Sequence, residues 1–173
     1  MCSGCSLMLA GMKPRESSRV LAVDPGYDRL GIALITGTAS KPVCEWSDCI
    51  LPPKGDREKR LAYIFTAVQK AVEEHSPTLL AIESLFFSKN QTTALGVAEA
   101  RGVVLSVAGL VDLPVLECSP QQVKLAVTGY GNADKKAVMS MTEKLITLPK
   151  KKRLDDEFDA IALGIAGLST RPF

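Results

Sequence analysis

The 173-residue chain is short of the side chains that build most zinc, disulfide and membrane sites. It contains one histidine, His75, so an imidazole-based zinc centre has no second ligand. Its five cysteines are Cys2, Cys5, Cys44, Cys49 and Cys118. Only Cys2 and Cys5 form a CxxC, and no partner pair completes a zinc ribbon. An odd, irregularly spaced set points to a reducing compartment rather than a disulfide framework. No apolar run approaches the about 20 residues of a membrane span. The N-terminal MCSGCSLMLAGMKPRESS has an apolar patch with no basic residue ahead of it, which excludes an ordinary secretory signal. Met12 stands where a lipoprotein signal would need cysteine. Residues 1–18 are therefore read as a flexible leader, consistent with an early start codon upstream of Met12. There is no internal repeat. The net charge is only +2, so charge becomes informative only where it segregates.

A hydrophobic content of 46% and a charged content of 23% are those of a globular domain. The length supports one such domain, placed at residues 19–170. Three strands are expected first, at 19–24, 30–36 and 44–51, joined by short turns as an antiparallel meander. Leu61, Ile64, Phe65, Val68 and Val72 recur at helical spacing within 57–74. A strand follows at 78–84, then an Ala-, Gly- and Val-rich helix at 92–110 and a strand in LPVLEC. Ser119 caps a helix that has Pro120 at its first position. Further helices are expected at 133–147 and 155–168. The fold class is α/β, a mixed sheet flanked by helices, with parallel pairing where helical crossovers join strands.

Acids occupy three unusual places. Asp24 and Glu83 each end an apolar strand. If those strands are parallel neighbours, both carboxylates stand at the sheet edge where α/β sites form. The third place is DDEFD, where Asp156 and Asp159 lie i, i+3 and Asp155 and Asp159 i, i+4, so either pair shares a helical face. Each group alone has an ordinary reading: a turn former before Pro-Gly, or first-turn acids serving the helix dipole. Glu83 is different, because an acid inside an apolar strand needs a partner. Like charges brought together raise one another's pKa, and a divalent cation removes that cost. Oxygen donors without nearby histidines point to Mg²⁺ or Mn²⁺. Two such ions roughly 3.5–4 Å apart suit phosphoryl displacement.

These segments resemble the RuvC family of Holliday-junction resolvases, within the RNase H-like superfamily. AVDPGYDRLGIALI resembles the family's opening strand pair, and AIESLFFSKNQTTALGVAEARGVV its second acidic strand and following helix. PVLECSPQQVKLAVTGYGNADKKAV and DDEFDAIALGIA resemble its third and last motifs. The resemblance runs from Arg19 to Leu168. It implies an RNase H-like fold with a five-stranded mixed sheet, a homodimer, and Mg²⁺-dependent symmetric nicking of four-way DNA junctions in recombination and repair. The cuts would leave 5′-phosphate and 3′-hydroxyl ends. It places Asp24, Glu83, Asp156 and Asp159 at the four catalytic, metal-binding positions, with Asp155 as the alternative to Asp156. It further implies a branch-migration helicase partner and a bacterial cytoplasmic setting.

The charges do segregate. Between Ser119 and Arg153, eight basic residues face two acids, a local +6. The basic run Lys150, Lys151, Lys152 and Arg153 directly precedes the acidic helix, so it is read as a phosphate contact. Lys124 and Lys135 match family lysines that approach the DNA backbone, and Lys135 is the candidate for assistance at the scissile phosphate. Phe86 falls on the family's position for an aromatic that stacks on opened bases, with Lys89 in the same loop. Three rivals remain. One is an RNase H-like nuclease of the YqgF family acting on RNA. The second is an actin-like or sugar-kinase ATPase, which normally needs twice this length. The third is a junction-binding module without catalysis.

Overall fold

The computed structural model describes residues 18–84, 91–148 and 151–170. The leader apart from Ser18, together with Phe86, Lys89 and Lys150, lies outside them. The elements in chain order are β1 (Val20–Asp24), β2 (Leu30–Thr38), β3 (Lys41–Ile50), α1 (Arg57–His75) and β4 (Leu79–Glu83). They continue with α2 (Gln91–Leu110), β5 (Val115–Cys118), α3 (Pro120–Thr128), α4 (Lys135–Leu145) and α5 (Asp155–Ser169). The strands form one mixed sheet of order β3-β2-β1-β4-β5. β1, β2 and β3 are the expected antiparallel meander, and β4 and β5 add in parallel beyond β1.

Alternation along the central strands assigns the two faces. Leu21 and Val23 of β1, Ile32 of β2, and Leu80 and Ile82 of β4 pack on α1 and α2, meeting Ile64, Val68, Ala100 and Val104. Val20, Ala22, Ala33, Ile35 and Ala81 face the other way, toward α3, α4 and α5. After its acidic first turn α5 is apolar all round, the signature of a helix buried in a core, and residues 160–167 are all buried. Small residues make the contact close. A Cβ on Gly164 would run into the Ile35 side chain and stand 3.3 Å from Ala22 Cβ. The α5 backbone therefore rides directly on the sheet.

The differences from the sequence reading sit at element ends. The β2–β3 hairpin zips further than expected, to Thr38 and Lys41. Pro42 is tolerated inside β3 because that strand lies at the sheet edge, and Gly37 takes a left-handed φ of 90° beside it. α4 is shorter than expected. Asp134 caps it, accepting from the Ala137 amide at 2.8 Å. Beyond it Ile146 is extended and Thr147 bridges to Val43 of β3. α3 follows expectation, with a full Ser119–Gln122 capping box and Pro120 at its start. Trp46 and His75, which had no role in the sequence reading, stack with ring centroids 4.6 Å apart and join β3 to the end of α1.

Gly164→Val forces a branched side chain into this contact. The expected cost is about 2–3 kcal/mol of unfolding free energy, measured by urea denaturation as a lower midpoint with unchanged slope.

Candidate active site

Asp24 and Glu83 end adjacent parallel strands. Val23 of β1 is in register with Ile82 of β4, so the next residue of each strand sets its carboxylate at one edge of the sheet. On the other side of β1, Asp24 is in register with Gly31 of β2. A Cβ at Gly31 would run into the carbonyl oxygen of Asp156. Glycine there lets the first turn of α5 lie against β2, beside Asp24. The order of elements thus gathers acids separated in sequence by more than a hundred residues.

Asp24, Glu83 and Asp159 line one pocket of about 220 Å³ with Lys124 and Lys135, walled by Val123, Val138 and Leu163. Lys135 Nζ bonds Asp159 Oδ2 at 2.9 Å and reaches Asp155 Oδ2 at 3.8 Å. Asp156 stands outside the pocket lining and pairs with Arg29 at 3.4 Å. Asp155 is mostly exposed. Asp24 feels the charges of Glu83, Asp159 and Asp156.

The electrostatics carry the cost of that gathering. Burial, followed by the charges of Glu83, Asp159 and Asp156, pushes the Asp24 carboxyl up to about 7, with Lys135 opposing. Glu83 is also raised, by burial first and then by Asp159, while Lys124 pulls it down. The hydrogen bond to Asp159 raises Lys135, with burial opposing. Among the described residues no donor reaches the Asp24 or Glu83 carboxylate. Two partly buried, mutually repelling acids suit a hard divalent cation, and the pocket offers oxygen donors and no imidazole. Among the described residues no three acidic, cysteine or histidine side chains close on one point. The carboxylates are separate arms around the pocket, and Lys135 and Arg29 supply the positive charge that Asp159 and Asp156 have here.

The basic run divides. The Arg153 side chain is only 4% exposed and, with Lys151, forms ion pairs with the buried Glu157 carboxylate at 3.1 and 2.8 Å. The reading of Arg153 as a phosphate contact gives way on burial, and Lys151 is engaged inward. Lys152 remains exposed. The sequence reading missed Arg29, Gly31, Glu157 and Arg101. Arg101 bonds Glu117 at 2.7 Å and donates to the Glu83 backbone carbonyl at 3.4 Å, tying α2 to the end of β4. Its signal in the sequence was a lone cation in the apolar run ARGVVLSVAGL.

The family model for crossover junction endodeoxyribonuclease RuvC matches residues 20–167. The chain belongs to the RuvC family of nucleases. It is 40% identical over 155 residues to the crossover junction endodeoxyribonuclease RuvC of Moorella thermoacetica, covering 89% of this chain and 93% of that one. Its fold is similar to Thermus thermophilus RuvC in complex with Holliday junction substrate, with a TM-score of 0.80 and 28% identity, covering 86% and 92% of the two chains. The yeast mitochondrial Holliday junction resolvase Ydc2 shares the fold at a TM-score of 0.64 and 12% identity, over 92% of this chain and 82% of that one. RuvC membership sets aside the RNA-nuclease and ATPase rivals. The RNase H-like mixed five-stranded sheet expected from the sequence is the fold present.

The raised Asp24 has a sign that can be measured. Its acid form is favoured by folding, so its contribution to stability is complete below the unfolded value near 3.8 and is lost as pH rises through about 7. The charged form at pH 8 costs on the order of 4 kcal/mol. Asp24→Asn is expected to stabilise the protein in EDTA at pH 8 by up to that amount, and to be nearly neutral below pH 3.8. Denaturation midpoints across pH test this, and a gain independent of pH would contradict it.

Proposed function

We propose that this RuvC-family chain resolves four-way DNA junctions by symmetric nicking, with Asp24, Glu83, Asp156 and Asp159 as the ligands of Mg²⁺, for which Mn²⁺ substitutes. The observation that supports it best is the meeting of Asp24, Glu83 and Asp159 with Lys124 and Lys135 in one pocket, in a chain whose relative binds Holliday junction substrate. When bound, divalent cations supply an activated water and charge neutralisation at the leaving 3′ oxygen.

The chain's own residues prepare the rest. Asp24 and Glu83 stand on strand ends fixed by the sheet, so their spacing is rigid. Lys135 holds its proton firmly beside Asp159. It therefore meets a phosphate oxygen as a cation and not as a base. Lys124 lines the same pocket and serves the same task. Val123, Val138 and Leu163 keep part of the pocket apolar, which strengthens charge interactions within it. Lys152 is exposed for backbone contact, and Phe86, Lys89 and Lys150 retain the roles that the family resemblance gives them. The proposal places one nuclease domain at residues 19–170, a C2 homodimer with two identical sites for two strands, ligatable 5′-phosphate and 3′-hydroxyl products, a branch-migration helicase partner and a bacterial cytoplasmic setting. No helix among the described residues is long and apolar enough to cross a membrane.

The test uses a labelled four-way junction and a matched linear duplex, with Mg²⁺ or EDTA. Paired symmetric nicks in the junction alone are expected. EDTA abolishes them, and Asp24→Asn lowers the rate on the order of 10³-fold, the equivalent of several kcal/mol of lost charge stabilisation. Tight junction binding without cleavage would instead identify a binding module. Equal activity on the duplex would refute junction selectivity.

A further inference from the structure

We infer that Glu157 is a positioning residue: through Lys151, Arg153 and Ser47 it anchors the first turn of α5 and with it the carboxylates of Asp156 and Asp159. The inference rests on the reading of those two aspartates as cation ligands.

α5 begins without the usual device. Its N-cap is Leu154, which offers no side-chain hydrogen bond. Its first turn carries three consecutive acids, Asp155, Asp156 and Glu157. They favour the helix dipole but repel one another. Left to itself, such an end frays. Two tertiary contacts replace the missing cap. One is the backbone approach of Asp156 to Gly31 of β2. The other is Glu157, 3% exposed. Its Oε1 accepts from Ser47 Oγ of β3 at 2.6 Å and pairs with Lys151 Nζ at 2.8 Å and Arg153 Nε at 3.1 Å. Lys151 Nζ also donates to the Ser47 carbonyl oxygen at 2.6 Å. One carboxylate thus joins β3, the basic connector and α5. Asp156 is held between the β2 contact on its own backbone and the β3 contact of the next residue.

The energetics argue for placement over stability. A buried ion cluster recovers little more than its desolvation cost, so its worth lies in fixing geometry. Asp156 and Asp159 sit one residue before and two residues after the anchored Glu157, too close for the turn to shift without moving both. The cations that looked like a DNA-binding run are consumed in this task, and Lys152 between them is not.

Lys151→Met is the variant to make, because Lys151 is half-exposed and its loss leaves the apolar core intact. Glu157→Gln and Lys151→Arg accompany it, with melting temperature as a check on folding. Calorimetric titration of Mn²⁺ into the DNA-free protein is the deciding measurement. Lys151→Met and Glu157→Gln should weaken Mn²⁺ affinity at least fivefold, and Lys151→Arg should restore most of it. Hydrogen exchange at the amides of residues 155–159 should quicken at least fivefold in the first two variants. Unchanged Mn²⁺ affinity in a folded Lys151→Met protein would overturn the inference. Loss of junction affinity alone, matched by Lys152→Met, would return Lys151 to the DNA. If the wild type bound no Mn²⁺ or cut no junction, the functional reading would fail. Amide exchange would still judge the anchor, and unchanged exchange would overturn it.

Discussion

The approach of the α5 backbone to the sheet is the constraint on which the site depends. Gly31 is the register partner of Asp24 and the seat of the Asp156 carbonyl. That one missing side chain lets a helix from the end of the chain stand beside a strand from its beginning. Gly164 continues the same close contact farther along α5, against Ile35 and Ala22. Larger residues on either surface would lift the helix and carry Asp156 and Asp159 away from Asp24 and Glu83. Parallel pairing of β1 with β4 supplies the other half of the arrangement, because it brings two strand-end acids to one edge without any loop adjusting them.

The assembled acids are electrostatically expensive, and the surrounding charges show how the fold tolerates them. Asp24 keeps its proton to near neutral pH. Asp159 and Asp156 each have a cation within 4 Å, Lys135 and Arg29. A site built in this way has two ways to neutralise itself, by its own lysine and arginine or by divalent ions. Under the proposed function, divalent ions at these acids would release Lys135 and Arg29 for DNA phosphates, and metal and substrate would then favour one another through ordinary linkage.

Most of the architecture was legible in the sequence because its signals are local. Apolar runs ending in breakers marked β1 and β4, helical spacing marked α1, and the Ser119–Pro120 pair marked α3 in advance. Element ends were less legible where tertiary contacts decided them. Pro42 reads as a breaker until β3 is known to be an edge strand. The end of α4 depends on Thr147 meeting Val43, a residue far away in the chain. In the site, Asp24 and Glu83 announced themselves as acids at the ends of apolar strands, and Asp156 and Asp159 as a pair at helical spacing. Gly31 and Arg101 did not, because their importance is a matter of what lies opposite them.

The run KKKR shows where charge counting stops being informative. In sequence its four cations are equivalent, a basic connector next to an acidic helix. In space their exposure separates them. Arg153 is as buried as the glutamate it pairs with, Lys151 is half-exposed but bonded at its ammonium, and Lys152 is exposed. An ammonium already bonded to a buried carboxylate and a backbone carbonyl can release few counterions from DNA, since it carries little unpaired charge to offer. The same residues gain a different value. A connector that binds its own helix fixes the direction in which α5 enters the sheet, and that direction sets where Asp156 and Asp159 point. The local excess of positive charge therefore serves DNA only in part. The remainder holds in place the negative charge on which a metal-dependent cut would rely.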